Sequence, residues 1–87
     1  MVIRFFGPFE RLAEKEARIE LSKPISTQEM LEMLASRYPG FARYSAETND
    51  VELSAHIMLI RNGVPLRLAD RIEDGDCINV FLPVTGG

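Results

Sequence analysis

Apolar and polar residues alternate near both ends of the chain and take up a helical spacing in its first half. Residues 2–6, Val-Ile-Arg-Phe-Phe, are an apolar run closed by Gly7-Pro8, which predicts a strand followed by a short helical turn over residues 9–15. From 16 to 22, Ala17, Ile19 and Leu21 alternate with Glu16, Arg18, Glu20 and Ser22, the period of a strand with one buried face. These two strands are expected to pair as a hairpin. The clearest helix start is Ser26 with Glu29 three residues on, a capping box, with Ile25 and Met30 placed as a hydrophobic staple. Met30, Leu31, Leu34 and Tyr38 then share a face, and Pro39-Gly40 ends the helix near residue 38. Met30 and Met33 read as core filler, the usual use of Met at helical spacing.

Residues 41–54 hold Phe41 and Tyr44 but no sustained period, and predict a loop with at most one helical turn. Ala-His-Ile-Met-Leu-Ile-Arg-Asn-Gly, 55–63, reads as an apolar strand that His56 opens and an Asn-Gly hairpin turn closes. Val64-Pro65-Leu66 would return as an edge strand, where a missing N–H is tolerated. After a turn at Glu73-Asp74-Gly75-Asp76, residues 77–82 form the last strand, with Ile78, Val80 and Leu82 on one face and Cys77, Asn79 and Phe81 on the other. The first and last strands are the most apolar, so they belong side by side in the sheet centre with the helix across one face. The fold class expected is α+β, a β-grasp (ubiquitin-like) domain over residues 1–82. It has a mixed sheet of four to five strands, one main helix, and a flexible diglycine tail at 83–87.

Composition removes several function classes. Eighty-seven residues fit one small domain, with little room for a deep enclosed site. The net charge of −3 and the lack of a Lys/Arg cluster give no footprint for nucleic acid. No apolar run reaches the roughly 18 residues of a membrane span, and no secretion signal follows Met1, so a cytoplasmic protein is expected. Cys77 is the single cysteine, which rules out an intrachain disulfide and argues against a metal site; it reads as a small buried hydrophobe. His56 reads as a packed or edge residue, and Asp70, Glu73, Asp74 and Asp76 as solvated charges around a turn. No phosphate loop and no Ser/His/Asp or Cys/His set is visible, so neither catalytic side chains nor a bound cofactor are expected.

What remains is the ending, Phe-Leu-Pro-Val-Thr-Gly-Gly at 81–87. With Gly at roughly 7% of residues, a terminal pair arises by chance in about one chain in two hundred. Pro83 has no N–H, so it ends ladder pairing and sends Val84, Thr85, Gly86 and Gly87 off the sheet as an arm. Glycines lacking Cβ let a narrow channel close around the backbone and let a reactive atom approach Gly87. A terminal carboxylate is anionic at neutral pH and a poor electrophile, so it needs activation by another enzyme, for which adenylation with ATP serves. On the sheet face away from the helix, alternation brings Phe6 beside Phe81, a candidate anchor for a protein partner.

Together with Arg-Phe-Phe-Gly-Pro-Phe-Glu-Arg-Leu-Ala at 4–13, Arg-Tyr-Pro-Gly-Phe at 37–41 and Arg-Asn-Gly-Val-Pro-Leu at 61–66, this ending resembles the MoaD family, the small sulfur-carrier subunit of molybdopterin synthase. The likeness extends to ThiS and other ubiquitin-like sulfur carriers. It departs at Glu10-Arg11, where the family often has the reverse order, and at Leu82, where it often has a second proline. The resemblance implies that a MoeB-like adenylyltransferase, using ATP and Mg, adenylates Gly87, and that a sulfurtransferase supplies sulfur to make a thiocarboxylate. A MoaE-like large subunit would then hold the tail and the catalytic side chains while two sulfur transfers build the dithiolene of molybdopterin. Thiazole or another thiolated product, a protein modifier joined to lysines through the same diglycine, and a plain interaction domain stay open as alternatives.

Overall fold

The computed structural model describes residues 1–46 and 49–83. Strand β1 (Val2–Phe5) leads into helix α1 (Pro8–Leu12) and strand β2 (Glu16–Arg18). A two-residue strand β3 (Ile25–Ser26) precedes the main helix α2 (Thr27–Arg37); a 3-10 turn (Pro39–Phe41) and short helices α3 (Ala42–Ser45) and α4 (Asp50–His56) come next. Strands β4 (Met58–Arg61), β5 (Val64–Pro65), β6 (Arg71–Ile72) and β7 (Cys77–Phe81) complete the chain.

Five strands form one mixed sheet in the order β2-β1-β7-β4-β5, and β3 pairs with β6 in a separate two-stranded ribbon. At the centre β1 runs parallel to β7, Ile3 opposite Ile78 and Phe5 opposite Val80. The neighbours β2 and β4 are antiparallel to them. A parallel pair cannot be joined by a tight turn, so the intervening chain supplies the helical layer that covers one face. Ile3, Phe5, Ile78, Val80, Ala17 and Leu59 point under that layer and are nearly inaccessible. They meet Met30, Leu31 and Leu34 of α2 in one core, with Phe9 and Phe41 also buried. The arrangement is the α+β, β-grasp fold read from the pattern.

The start of α2 is built as expected. The Ser26 hydroxyl accepts from Glu29 N–H while Glu29 Oε1 accepts from Ser26 N–H, both at 3.1 Å. Ile25 and Met30, the staple pair, are both buried. Asn62 and Gly63 have φ of 53° and 77°, the two positive values that a type I′ hairpin turn requires between β4 and β5.

Four expectations give way. Residues 41–54 are not a loop: α3 and most of α4 lie there, and Asn49 caps α4 by accepting from Val51 N–H at 2.8 Å and Glu52 N–H at 3.3 Å. His56 therefore closes a helix instead of opening a strand, and it is exposed. The second strand stops at Arg18 and the last at Phe81, so Leu82, expected on the core face, is 52% exposed. Cys77, expected inside, is exposed on the uncovered face, because Ile78 takes the core side at the start of β7.

The acidic turn also does more than sit in solvent. Asp76 Oδ2 accepts from Glu73 N–H at 2.8 Å and pairs with Arg61 at 2.9 Å, while Asp70 Oδ2 accepts from Arg67 N–H at 2.8 Å. These carboxylates close the turns that carry the chain from β5 to β7.

Candidate functional site: the open sheet face and the root of the tail

The face opposite α2 has no covering layer among the described residues. Register places Asn79 between Arg4 and Ile60, and Phe81 beside Met58, all on this side. Phe6 extends the parallel ladder beyond β1, donating its N–H to Val80 O at 3.0 Å. Its ring stacks on that of Phe81, with centroids 4.6 Å apart and planes inclined by 12°. A stacked pair of this kind contributes about 0.5–1.5 kcal/mol beyond its area burial. Phe6 stays 40% exposed, and Phe81 and Met58 are half-buried. Helices α3 and α4 pack elsewhere and leave the rings accessible.

Local backbone chemistry holds Phe6 there. Gly7 comes next with φ of 60°, a left-handed conformation that glycine adopts without a Cβ penalty, and Pro8 starts α1 with its fixed φ. The reversal turns Phe9 inward, where it is 1% exposed, and leaves Phe6 outward.

Toward the β2 edge the same face is ionic. Glu16 accepts from Arg4 at 3.2 Å and from Arg18 at 3.0 Å. The Arg18 guanidinium, and then that of Arg4, hold the Glu16 carboxyl below the usual carboxylate range. The face thus grades from an ion network at one edge to an apolar patch of Phe6, Phe81, Met58 and Ile60. Met58 and Ile60 were not singled out from the sequence as part of this patch. Their signal was the alternation with buried Ile57 and Leu59, obscured by a run that is apolar throughout.

The last ladder partner in β7 is Phe81, opposite Met58. Two residues later, Pro83 lies in a groove of about 170 Å³ beside Leu53, Ile57, Pro65 and Leu66. Val84, Thr85, Gly86 and Gly87 lie outside the described residues. Strand β7 itself ends at Phe81, the ring that stacks on Phe6. Among the described residues no group of three His, Cys, Asp or Glu side chains could hold a metal ion. No helix among them is long and apolar enough to cross a membrane.

Comparisons with known proteins agree with this geometry. The ThiS family matches residues 3–87. Small archaeal modifier protein 3 of Haloferax volcanii is 30% identical over 90 residues, covering 98% of this chain and 96% of that protein. The crystal structure of SAMP1 from Haloferax volcanii superposes with a TM-score of 0.74 at 26% identity, covering 99% of this chain and 97% of that one. A candidate molybdopterin converting factor subunit 1 of Pyrococcus furiosus shares the fold, with a TM-score of 0.73 at 24% identity over 95% of both chains. The chain belongs to the ThiS family, the small ubiquitin-like proteins that act as sulfur carriers or protein modifiers.

Proposed function

We propose that this chain is a sulfur carrier for molybdopterin synthesis, the small subunit of a two-subunit synthase. The observation that carries the reading is the exposed Phe6–Phe81 stack beside the point where the chain leaves the sheet. An apolar patch rooted next to an arm lets a partner grip the domain and direct the arm into its own active site. A MoaE-like large subunit would dock on this face and receive Pro83, Val84, Thr85, Gly86 and Gly87 in a narrow channel. A MoeB-like adenylyltransferase would use the same face.

In this reading the Gly87 carboxylate attacks the α-phosphate of ATP, bound with Mg to the adenylyltransferase, and pyrophosphate leaves. A sulfurtransferase persulfide then attacks the acyl carbon and AMP leaves, and a thiol cleaves the resulting acyl disulfide, itself ending in a disulfide and releasing a thiocarboxylate at Gly87. The chain itself supplies no catalytic side chain and binds no cofactor, and the cycle runs in the cytoplasm.

A second reading has a specific observation behind it, the 30% identity to a protein named as a small archaeal modifier. There the same acyl-adenylate would be passed to lysines of other proteins. Both readings begin with activation of Gly87, and intact mass from producing cells separates them. A carrier shows a fraction of the free chain with one oxygen replaced by sulfur, and co-purifies with a MoaE-like subunit. A modifier leaves Gly-Gly remnants on lysines of other proteins. A free chain lacking sulfur, with neither partner nor remnants, would overturn both.

A further inference from the structure

In the middle of the open sheet face stands a polar side chain that the described residues leave without a hydrogen bond. Alternation along β7 sends Ile78 and Val80 into the core, so Asn79 points to the open side together with Cys77 and Phe81. Across the ladders it has Arg4 of β1 on one side and Ile60 of β4 on the other. Asn79 is half-buried, and its Oδ1 is closed to solvent with no donor in reach. The neighbouring cation does not serve it, because Arg4 gives its Nε–H to Glu16 at 3.2 Å. A desolvated amide oxygen without a donor destabilises the free chain, and Asn is a residue that strand interiors disfavour. Its position costs the fold stability, and no described residue supplies the missing bond.

We infer that Asn79 is the specificity-determining residue of this face, its carboxamide kept for an amide group of the large subunit, which rests on the docking role proposed above. Rotation about the Cβ–Cγ bond turns Oδ1 outward and breaks no hydrogen bond that Oδ1 now makes. A backbone or side-chain amide of the partner then gives its N–H to Oδ1 and accepts from Nδ2. The stacked rings of Phe6 and Phe81 supply apolar contact that many surfaces could match. Asn79 supplies the discrimination. An apolar surface that fitted the rings but offered no donor would seal the carboxamide away unpaired, and such a complex is penalised.

The test is isothermal titration of the cognate MoaE-like subunit with the parent chain, Asn79→Leu and Asn79→Gln, beside thermal denaturation of each chain alone. Leu is close to Asn in size and adds apolar area to an apolar patch. With no role for the carboxamide, Asn79→Leu would therefore bind as tightly as the parent or more so. It is expected instead to bind at least about fivefold more weakly, because the partner amide is left desolvated and unpaired. The same variant alone is expected to melt at or above the parent temperature, since it removes an unsatisfied polar group and suits a strand better. Asn79→Gln keeps the carboxamide and should bind more tightly than Asn79→Leu.

Weaker binding joined to undiminished stability is a combination that a merely structural side chain does not produce. Asn79→Leu binding as tightly as the parent, or melting below it, would overturn the inference and leave the docking role standing. A parent chain with no affinity for the large subunit would overturn the docking role and the inference together.

Discussion

Phe81 is the side chain on which the docking proposal turns. Its ring has Phe6 on one side and Met58 opposite it across the ladder, so truncation removes the centre of the apolar patch while the core residues Ile78 and Val80 stay in place. Phe81→Ala is expected to weaken binding of a MoaE-like subunit by about 2 kcal/mol or more, the size of an interface hot spot. Isothermal titration reads this directly, and unchanged affinity with an intact fold would remove Phe81 from the interface. Alternation within two strands was enough to pair these rings from sequence, because a period of two leaves each side chain only two faces to choose between. The same rule failed at Leu82, since alternation does not say where a ladder stops. It failed at Cys77 because composition was weighed over register. Asp74 carries a pH prediction. The Leu21 N–H, and more weakly the Met1 ammonium, hold its carboxyl below the usual range against a smaller opposing effect of burial. A depressed carboxylate contributes stability that is fully present above its unfolded value of about 3.9 and is lost as pH falls through the lower folded value. Carboxyl NMR titration should place the Asp74 midpoint below that of an exposed aspartate, and thermal stability should decline over the same interval. A midpoint at or above the ordinary value would contradict the assignment.

Among the elements, the contrast between α2 and α4 shows what a sequence displays. Helix α2 runs 11 residues, long enough for Met30, Leu31 and Leu34 to declare a face, and its capping box stands in plain view. Helix α4 has seven residues, of which Leu53 faces the core, with buried Ile57 just beyond its end, too few for a period to emerge. Its legible signal was Asn49 with Glu52 three residues on, the same cap logic as at Ser26. The β3–β6 ribbon, with Ile25 opposite Ile72, is two residues wide and shows no alternation at all. Asn49→Ala is expected to cost about 1 kcal/mol by leaving the Val51 and Glu52 N–H groups without their acceptor. Hydrogen exchange should then quicken in α4 and at Leu68 N–H, which donates to Asp50 Oδ1 at 2.7 Å, while β1 and β7 keep their protection. Uniform loss of protection across the sheet would show that α4 is not a separable unit.

On the proposed reading, the molecule as a whole divides into a domain that folds and an arm that works. The described core ends with Val80, and β7 ends at Phe81, so the packing of Ile3, Phe5, Leu34, Ile78 and Val80 is complete before the chain reaches Pro83. Deleting Gly86 and Gly87 is expected to shift stability by no more than about 0.5 kcal/mol, as for changes away from a core, and cooperative loss of structure in a denaturant titration would contradict this. The central claim is that the reactive atom is the terminal carbonyl carbon of Gly87. Its most direct measurement is ATP–pyrophosphate exchange by the cognate adenylyltransferase, with the chain compared to a version extended by one residue after Gly87. The extension converts the Gly87 carboxylate into an amide that ATP cannot adenylate, while leaving the sheet and the Phe6–Phe81 face as they are. Exchange is expected with the parent chain and should be abolished by the extension, with binding to the adenylyltransferase retained. Exchange at the parent rate by an extended chain that intact mass shows to be unprocessed would contradict the account.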